Sequence, residues 1–272
     1  MGQSRQSLYI AIPCYDGRIH VGTFMSALQA VMDLSSVGIN CNLETYVGDS
    51  LIASTRNVLI GKFRNTDCTD LLCLDSDIAF EPGTVQRLMS HPVDFVAGLY
   101  RFKNDDENYP MQCLPDPEGK GLWSYDPVTG EVSDEGLIEV AGVPFGFVRM
   151  RRAVIERMFE AYKGREYEPK DVPGLKTCCL FDIPFENGQM VGEDYSFCHK
   201  WRAIGGKIWI DPHIRLDHCG TKIYKGNLAQ WLRKDEPEPP QLKLTDQQIE
   251  GWRKLAKQHN YEKLFDAALG AA

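Results

Sequence analysis

No apolar run in the 272 residues approaches the roughly 18–20 needed to cross a bilayer. The first seven residues are polar and lead into a short apolar stretch, without the apolar core and small-residue site of a signal peptide. The expected location is therefore cytoplasmic, with no membrane partner. None of the nine cysteines stands in a C-x-x-C pair, which argues against a structural zinc knuckle. Free, buried thiols of a reducing compartment are expected instead. No internal repeat is found. At 43% hydrophobic and 25% charged, the chain is neither disordered nor collagen-like. Its length fits one large α/β domain or two small ones.

Positive charge is also scarce: 30 Lys and Arg face 38 Asp and Glu, a net −8, which argues against a generic nucleic-acid coat. The deficit is uneven. Residues 101–139 hold ten acidic and three basic side chains, whereas 198–234 hold eight basic and two acidic. An anionic partner on the C-terminal half is compatible with that distribution, and so is a polarised solvated surface.

Apolar runs at 7–13, 42–47, 70–74 and 93–97 read as strands. Between them, Val21, Phe24, Met25, Leu28, Val31 and Met32 recur at helical spacing up to Gly38. A second helix is expected over 51–63, capped by Asp49 or Ser50, and a third from Pro82 to about residue 90. This alternation implies parallel strands joined by crossover helices. The segment 103–135 is rich in Asp, Asn, Pro and Gly. Apolar runs resume at 137–141 and 146–150. A helix over 152–162, a strand over 178–181, a helix over 193–204 and a strand over 207–210 follow. A charged, Pro-rich linker and two short helices close the chain.

The strongest chemical signal is Asp75-Ser76-Asp77, directly after the apolar run 71–74. In open parallel sheets ligands bind beyond the carboxyl ends of strands. Two carboxylates there suit a hard divalent cation carrying phosphate oxygens. The alternative is that Asp75 or Asp77 caps the helix near Pro82.

With six further segments in order, the chain resembles a GT-A-fold glycosyltransferase over residues 8 to about 226. Those segments are Ile10 to Asp16, Ser54 to Asn57, Ala97 to Lys103, Ala141 to Phe147, Gly192 to Cys198, and Asp211 to Gly220. The resemblance implies an α/β fold with a mixed central sheet flanked by helices. It implies a catalytic domain over 1–234, with a nucleotide-binding half (about 1–103) and an acceptor half (104–234), and an appendage over 235–272. It implies a hexosyltransferase using a nucleoside-diphosphate sugar, UDP being the common choice, with Mn²⁺ or Mg²⁺. Asp77, Asp75 and His218 are the implied metal ligands. Asp194, with Glu193, is the implied catalytic base of an inverting reaction. Donor contacts are expected from Pro13, Tyr15, Asp16, Arg56, Asn57, Asp75, Ser76, Arg101, Lys103, Lys222 and Lys225. Acceptor contacts are expected from Gly142, Phe145, Gly146 and Trp123.

A compact chain without an anchor is similar to the glycosyltransferases of phages, where the location would be the host cytoplasm. Some of those act on hydroxymethylpyrimidines in DNA. Double-stranded DNA with hydroxymethylated bases is thus one expected acceptor, favoured by the basic stretch 198–234 and by Arg149, Arg151 and Arg152. Bacterial surface glycans and lipid-linked acceptors are the alternatives. A sugar-phosphate nucleotidyltransferase fits less well, because its Gly-rich first loop is absent. A non-catalytic nucleotide- or DNA-binding module is the remaining alternative. The oligomeric state is left open.

Overall fold

The computed structural model describes residues 6–114, 136–186 and 188–232, all within one compact unit, Met1–Arg233. Trp123, the C-terminal linker and the two expected C-terminal helices lie outside the described residues. The chain opens with β1 (Ser7–Cys14), α1 (Val21–Ser36), β2 (Asn40–Val47), α2 (Ile52–Arg64), β3 (Asp70–Leu74), β4 (Ile78–Phe80), α3 (Thr84–Ser90) and β5 (Phe95–Ala97). It continues with β6 (Ile138–Val140), β7 (Phe147–Arg151) and α4 (Arg152–Ala161). Two two-residue ladders follow: β8 (Glu166–Tyr167) with β9 (Thr177–Cys178), and β10 (Phe185–Glu186) with β11 (Gln189–Met190). The chain then forms α5 (Glu193–Ala203), β12 (Ile208–Ile210), β13 (Leu216–Cys219), β14 (Ile223–Lys225) and α6 (Leu228–Leu232).

Seven strands form the central sheet in the order β2-β1-β3-β7-β5-β12-β6. Strands β2, β1, β3, β5 and β12 run one way, while β7 and β6 run against them. This is the mixed α/β sheet flanked by helices that the resemblance implies. The β1-α1-β2-α2-β3 stretch forms because each strand is an apolar run too short for a helix and each helix carries one apolar stripe. A small antiparallel sheet, β14-β13-β4, stands beside the end of β3. Strand β4 is not evident from the sequence, because its three residues follow two aspartates.

One core layer gathers Leu59, Phe63, Ile155, Phe159, Phe197 and Trp201. The other gathers Ala27, Ala30, Leu34, Val85 and Leu88 on the opposite face. Each fully buried phenylalanine contributes about 1.5–3 kcal/mol by leaving water. All nine cysteines are free. Burial pushes the Cys73 and Cys198 thiols up to about 12, which keeps them protonated and unsuited to nucleophilic work.

Several local expectations are corrected. Helix α2 starts one residue late, and neither Asp49 nor Ser50 caps it; Asp49 Oδ1 instead accepts from the Leu51 amide in a turn (2.9 Å). Pro82 precedes α3 rather than opening it, because Gly83 adopts φ 83° and turns the chain first. In α1 the large apolar residues do share a face, but that face points outward: Thr23, Ala27, Ala30 and Leu34 are buried instead. Finally, Arg149, Arg151 and Arg152 stand at the amino-terminal end of β3, since Arg151 lies opposite Asp70 in the β3–β7 register. Arg149 is fully buried against Asp70, 2.6 Å away. Arg152 donates to the carbonyls of Cys68 (2.7 Å), Phe63 (3.2 Å) and Thr66 (2.7 Å). Arg149 and Arg152 thus hold the fold together, while Arg151 is 40% exposed, 3.6 Å from Asp94.

Candidate active site

The carboxyl ends of β1, β2, β3 and β5 open on one side of the sheet, and β7 enters from that side. Asp75-Ser76-Asp77 is pinned there by its backbone. The Asp75 amide donates to Gly146 O (3.0 Å), the His20 amide to Ser76 O (2.8 Å) and the Cys219 amide to Asp77 O (2.8 Å). Gly146 is required by close approach: a Cβ there would lie 2.5 Å from the Tyr100 ring. Segments far apart in sequence thereby converge on the two aspartates.

Arg56, in the second turn of α2, is the centre of the arrangement. Its side chain is 5% exposed. Nη2 donates to Asp75 Oδ1 (3.1 Å) and Nη1 to Phe145 O (3.3 Å). Nε lies 3.5 Å from Asp194 Oδ1 and 3.7 Å from Glu193 Oε1, charge contacts without hydrogen bonds. One guanidinium thus faces three carboxylates. Burial works against its charge, but Asp75, Asp194 and Glu193 outweigh burial and hold its pKa above the ordinary arginine value.

Asp194 opens α5 beside Glu193, where the helix N-terminus favours negative charge. The Phe145 amide donates to its Oδ2 (3.2 Å), while Oδ1 is buried without a hydrogen-bond partner among the described residues. Burial, reinforced by Glu193 and Asp75 and opposed by Arg56, pushes the Asp194 carboxyl up to about 7. A carboxylate with that pKa is suited to general-base work near neutrality.

Asp77 and His218 form the second part of the site. The His218 Nδ1 is 2.8 Å from Arg101 O, so Nδ1 carries the proton and donates to that carbonyl. This turns Nε2 towards Asp77 Oδ2, 3.7 Å away. Lys103 Nζ lies 2.5 Å from the same Asp77 oxygen. Burial raises the Asp77 pKa, but His218 and Lys103 outweigh it and hold the carboxyl below its ordinary value. Among the described residues no group of three or more His, Cys, Asp or Glu is arranged to hold a metal ion. The expected set of Asp75, Asp77 and His218 does not come together, because Asp75 is turned to Arg56. Asp77 and His218 fit a divalent cation as two protein ligands. The histidine tautomer is fixed from behind by Arg101 O, and a positive group, Lys103, already occupies the carboxylate.

The other expected residues divide. Tyr15 and Asp16 are exposed just past β1, on the open side, and Pro13 is buried in the strand. Asn57 does not face the opening: its Nδ2 donates to Phe181 O (2.7 Å) and its Oδ1 accepts from the Leu180 (3.0 Å) and Phe181 (2.9 Å) amides. It ties α2 to the 180–181 backbone. The Arg101 guanidinium donates to the carbonyls of Asn104, Asp105 and Lys225, which holds its loop rather than a ligand. Lys222 pairs with Asp105, and Lys225 is exposed. The Phe145 side chain is fully buried, and its contribution is the amide and carbonyl already described. A side chain at Gly142 would strike Tyr195 and Gln112.

Tyr100 escaped the sequence reading. Its hydroxyl lies 3.5 Å from Asp75 Oδ2, and its ring meets His218 edge-on at 4.8 Å between centroids. An aromatic residue just beyond β5 was the available signal. A groove of about 840 Å³, lined by Gln6, Arg64, Arg151, Arg152 and Glu156 among others, lies at the opposite end of the sheet. Arg64 and Arg152 are already paired with Glu156 there, and the groove brings none of the carboxylates just described together.

No family model matches the chain, and no curated protein does. Three solved structures are similar to it in part. GalNAc-T7 with UDP, GalNAc and Mn²⁺ is 12% identical with a TM-score of 0.44, covering 95% of this chain and 50% of that one. S. aureus TarS 1-349 is 12% identical with a TM-score of 0.36, covering 80% and 60%. A glycosyltransferase involved in glycosylation of the major capsid of PBCV-1 is 13% identical with a TM-score of 0.29, covering 62% and 70%. This chain spans half the length of the GalNAc-T7 chain. At these values the likenesses assign it no activity.

Proposed function

We propose that this protein is a glycosyltransferase. It would move a sugar from a nucleoside-diphosphate sugar, UDP-linked as the first choice, to an acceptor hydroxyl, with a divalent cation and with inversion. The observation that carries the reading is the Arg56 hub. It joins the aspartate after β3 to the carboxylates opening α5, 119 residues away in sequence (194 − 75), at the open end of a largely parallel sheet. Two functions are thereby set side by side. Asp77 and His218 offer an oxygen and an imidazole nitrogen, a pair that Mn²⁺ tolerates better than Mg²⁺ does. When bound, such an ion stabilises the charge that develops on a departing diphosphate. Lys103 adds a positive charge beside Asp77. Asp194 takes the proton of the acceptor hydroxyl as that oxygen attacks the anomeric carbon and the bond to the diphosphate breaks. Glu193 and Asp75 keep the surrounding field negative, so Asp194 holds the proton once taken. Arg56 touches no substrate in this scheme; it positions Asp75 and Asp194.

The acceptor is the less supported half. The charge argument for hydroxymethylated DNA weakens, since Lys200 pairs with Asp182, Lys207 with Glu139 and Lys222 with Asp105. DNA enters as one arm of the test. The protein with Mn²⁺ is offered a panel of nucleotide sugars, alone and with hydroxymethylated DNA, surface-glycan fragments or lipid-linked acceptors. Release of nucleoside diphosphate is followed. One donor is expected to be turned over, and release is expected to fall about 10³-fold in Asp194→Asn. Nucleotide binding without turnover on any acceptor would favour the non-catalytic module. Full-rate product formation by Asp194→Asn would sink the mechanism.

A further inference from the structure

Helix α1 turns its largest apolar side chains to solvent. Val21 is 69% exposed, Phe24 52%, Met25 56%, Leu28 42% and Met32 58%. The helix cannot roll to hide them. Its other face is seated on the sheet by Thr23, Ala27, Ala30 and Leu34, and rotation would force Phe24 and Met25 into space shaped for alanine. The exposed stripe amounts to roughly 500 Å² of apolar surface, at the upper end of what a monomer shows.

We propose that this stripe is the contact surface of a homodimer, packed against the same stripe of a second copy about a two-fold axis. Three observations select that occupant. Val21, Met25, Leu28 and Met32 follow one another at intervals of four, three and four residues, the spacing of a seam that packs helix against helix. The helix carries no Lys or Arg, and its one acid, Asp33, accepts from Gln29 on the flank (2.7 Å). A helix lying on an anionic membrane would carry basic residues on its polar face. A charged partner would find nothing here to pair with, whereas an identical uncharged stripe meets no like charge. Finally, two such stripes bury about 1,000 Å² together, the lower limit for a specific interface. The dimer is therefore weak and reversible, and the two methionines adapt to the self-contact.

Sedimentation equilibrium of the full chain tests this. Its weight-average mass is expected to rise from one towards two chain masses between about 1 and 200 µM, with Kd of about 10–100 µM. The exposed pair Met25→Glu/Leu28→Glu should remain monomeric with an unchanged melting temperature. Met25→Gln/Leu28→Gln, a milder change, should weaken association at least fivefold. A wild-type monomer at 200 µM overturns the proposal. Association that survives both variants overturns it as well, and so does flotation with neutral phosphatidylcholine vesicles that the Glu pair abolishes. None of these results depends on the glycosyltransferase reading.

Discussion

Strand β3 has an aspartate at each end, and each aspartate meets a buried arginine. At the start, Asp70 faces Arg149 at 2.6 Å; just past the end, Asp75 faces Arg56 at 3.1 Å. The two guanidinium groups are similarly buried, at 0% and 5% exposure. Their pKa values nevertheless move in opposite directions. Burial, with the neighbouring Arg151 charge, prevails over Asp70 and lowers Arg149, whereas three carboxylates prevail over burial and raise Arg56. The first pair is matched one to one and asks for nothing further. The second leaves two negative charges uncompensated, and that surplus faces the end of the sheet where a cation and a proton can be handled. Equal burial with unequal charge balance separates a structural ion pair from a candidate site.

The largest test removes the arginines. Arg56→Met and Arg149→Met should each cost about 3–5 kcal/mol in urea unfolding, since each strands buried charge. Pairing Arg149→Met with Asp70→Asn should return most of that loss. Pairing Arg56→Met with Asp75→Asn should not, because Glu193 and Asp194 remain; full recovery there would erase the distinction.

Asp194→Asn should lower product formation about 10³-fold with nucleotide affinity retained by calorimetry. It should also stabilise the fold at pH 8. The folded pKa of Asp194 is about 7, above the ordinary carboxylate value. Its ionisation therefore removes stability as pH rises from about 4 to about 7, and Asn removes that penalty. A melting temperature higher by a few degrees at pH 8, and unchanged at pH 4, is expected. On the same ground, wild-type kcat/KM should climb about tenfold per unit below pH 7 and level off above it. A flat profile would remove Asp194 as the base.

Asp77→Ala and His218→Ala should each weaken Mn²⁺-dependent nucleotide binding about 10–100-fold. Unchanged metal-dependent affinity would return both residues to a purely structural role. The smallest effect is expected from Lys103→Met. Its amino group competes for Asp77 Oδ2, so its loss should tighten Mn²⁺ binding, read by electron paramagnetic resonance, by about 3–10-fold. Weaker binding instead would make Lys103 a support for Asp77 rather than a competitor.

Much of the fold is legible in the residues. Apolar runs ending at or near Asp or Gly, alternating with helical stripes, announce the parallel strands and where they stop. The two aspartates after β3 follow directly, and so does the placement of Glu193 and Asp194 at a helix start. The misreadings share one cause. Arg56 and Asn57 sit side by side in the same helix turn, yet one gathers carboxylates and the other holds the 180–181 backbone. Local spacing cannot tell them apart, because the difference lies in what packs against each. The α1 stripe is periodic, but periodicity does not say which face the sheet takes. Arg149 and Arg152 look like an exposed basic cluster until carbonyls and Asp70 close around them.

The sequence by itself determined the alternation β1-α1-β2-α2-β3 and the presence of carboxylates at the end of an apolar strand. Those depend on local periodicity and on neighbours a few residues away. Only the tertiary structure decided that β7 runs against β3, bringing Gly146 and Phe145 to Asp75 and laying α5 beside Arg56. It also decided that three carboxylates share one guanidinium while His218 turns Nε2 to Asp77. Most of these juxtapositions join residues seventy or more positions apart. They are stabilised by burial and charge terms that exist only once the sheet has closed.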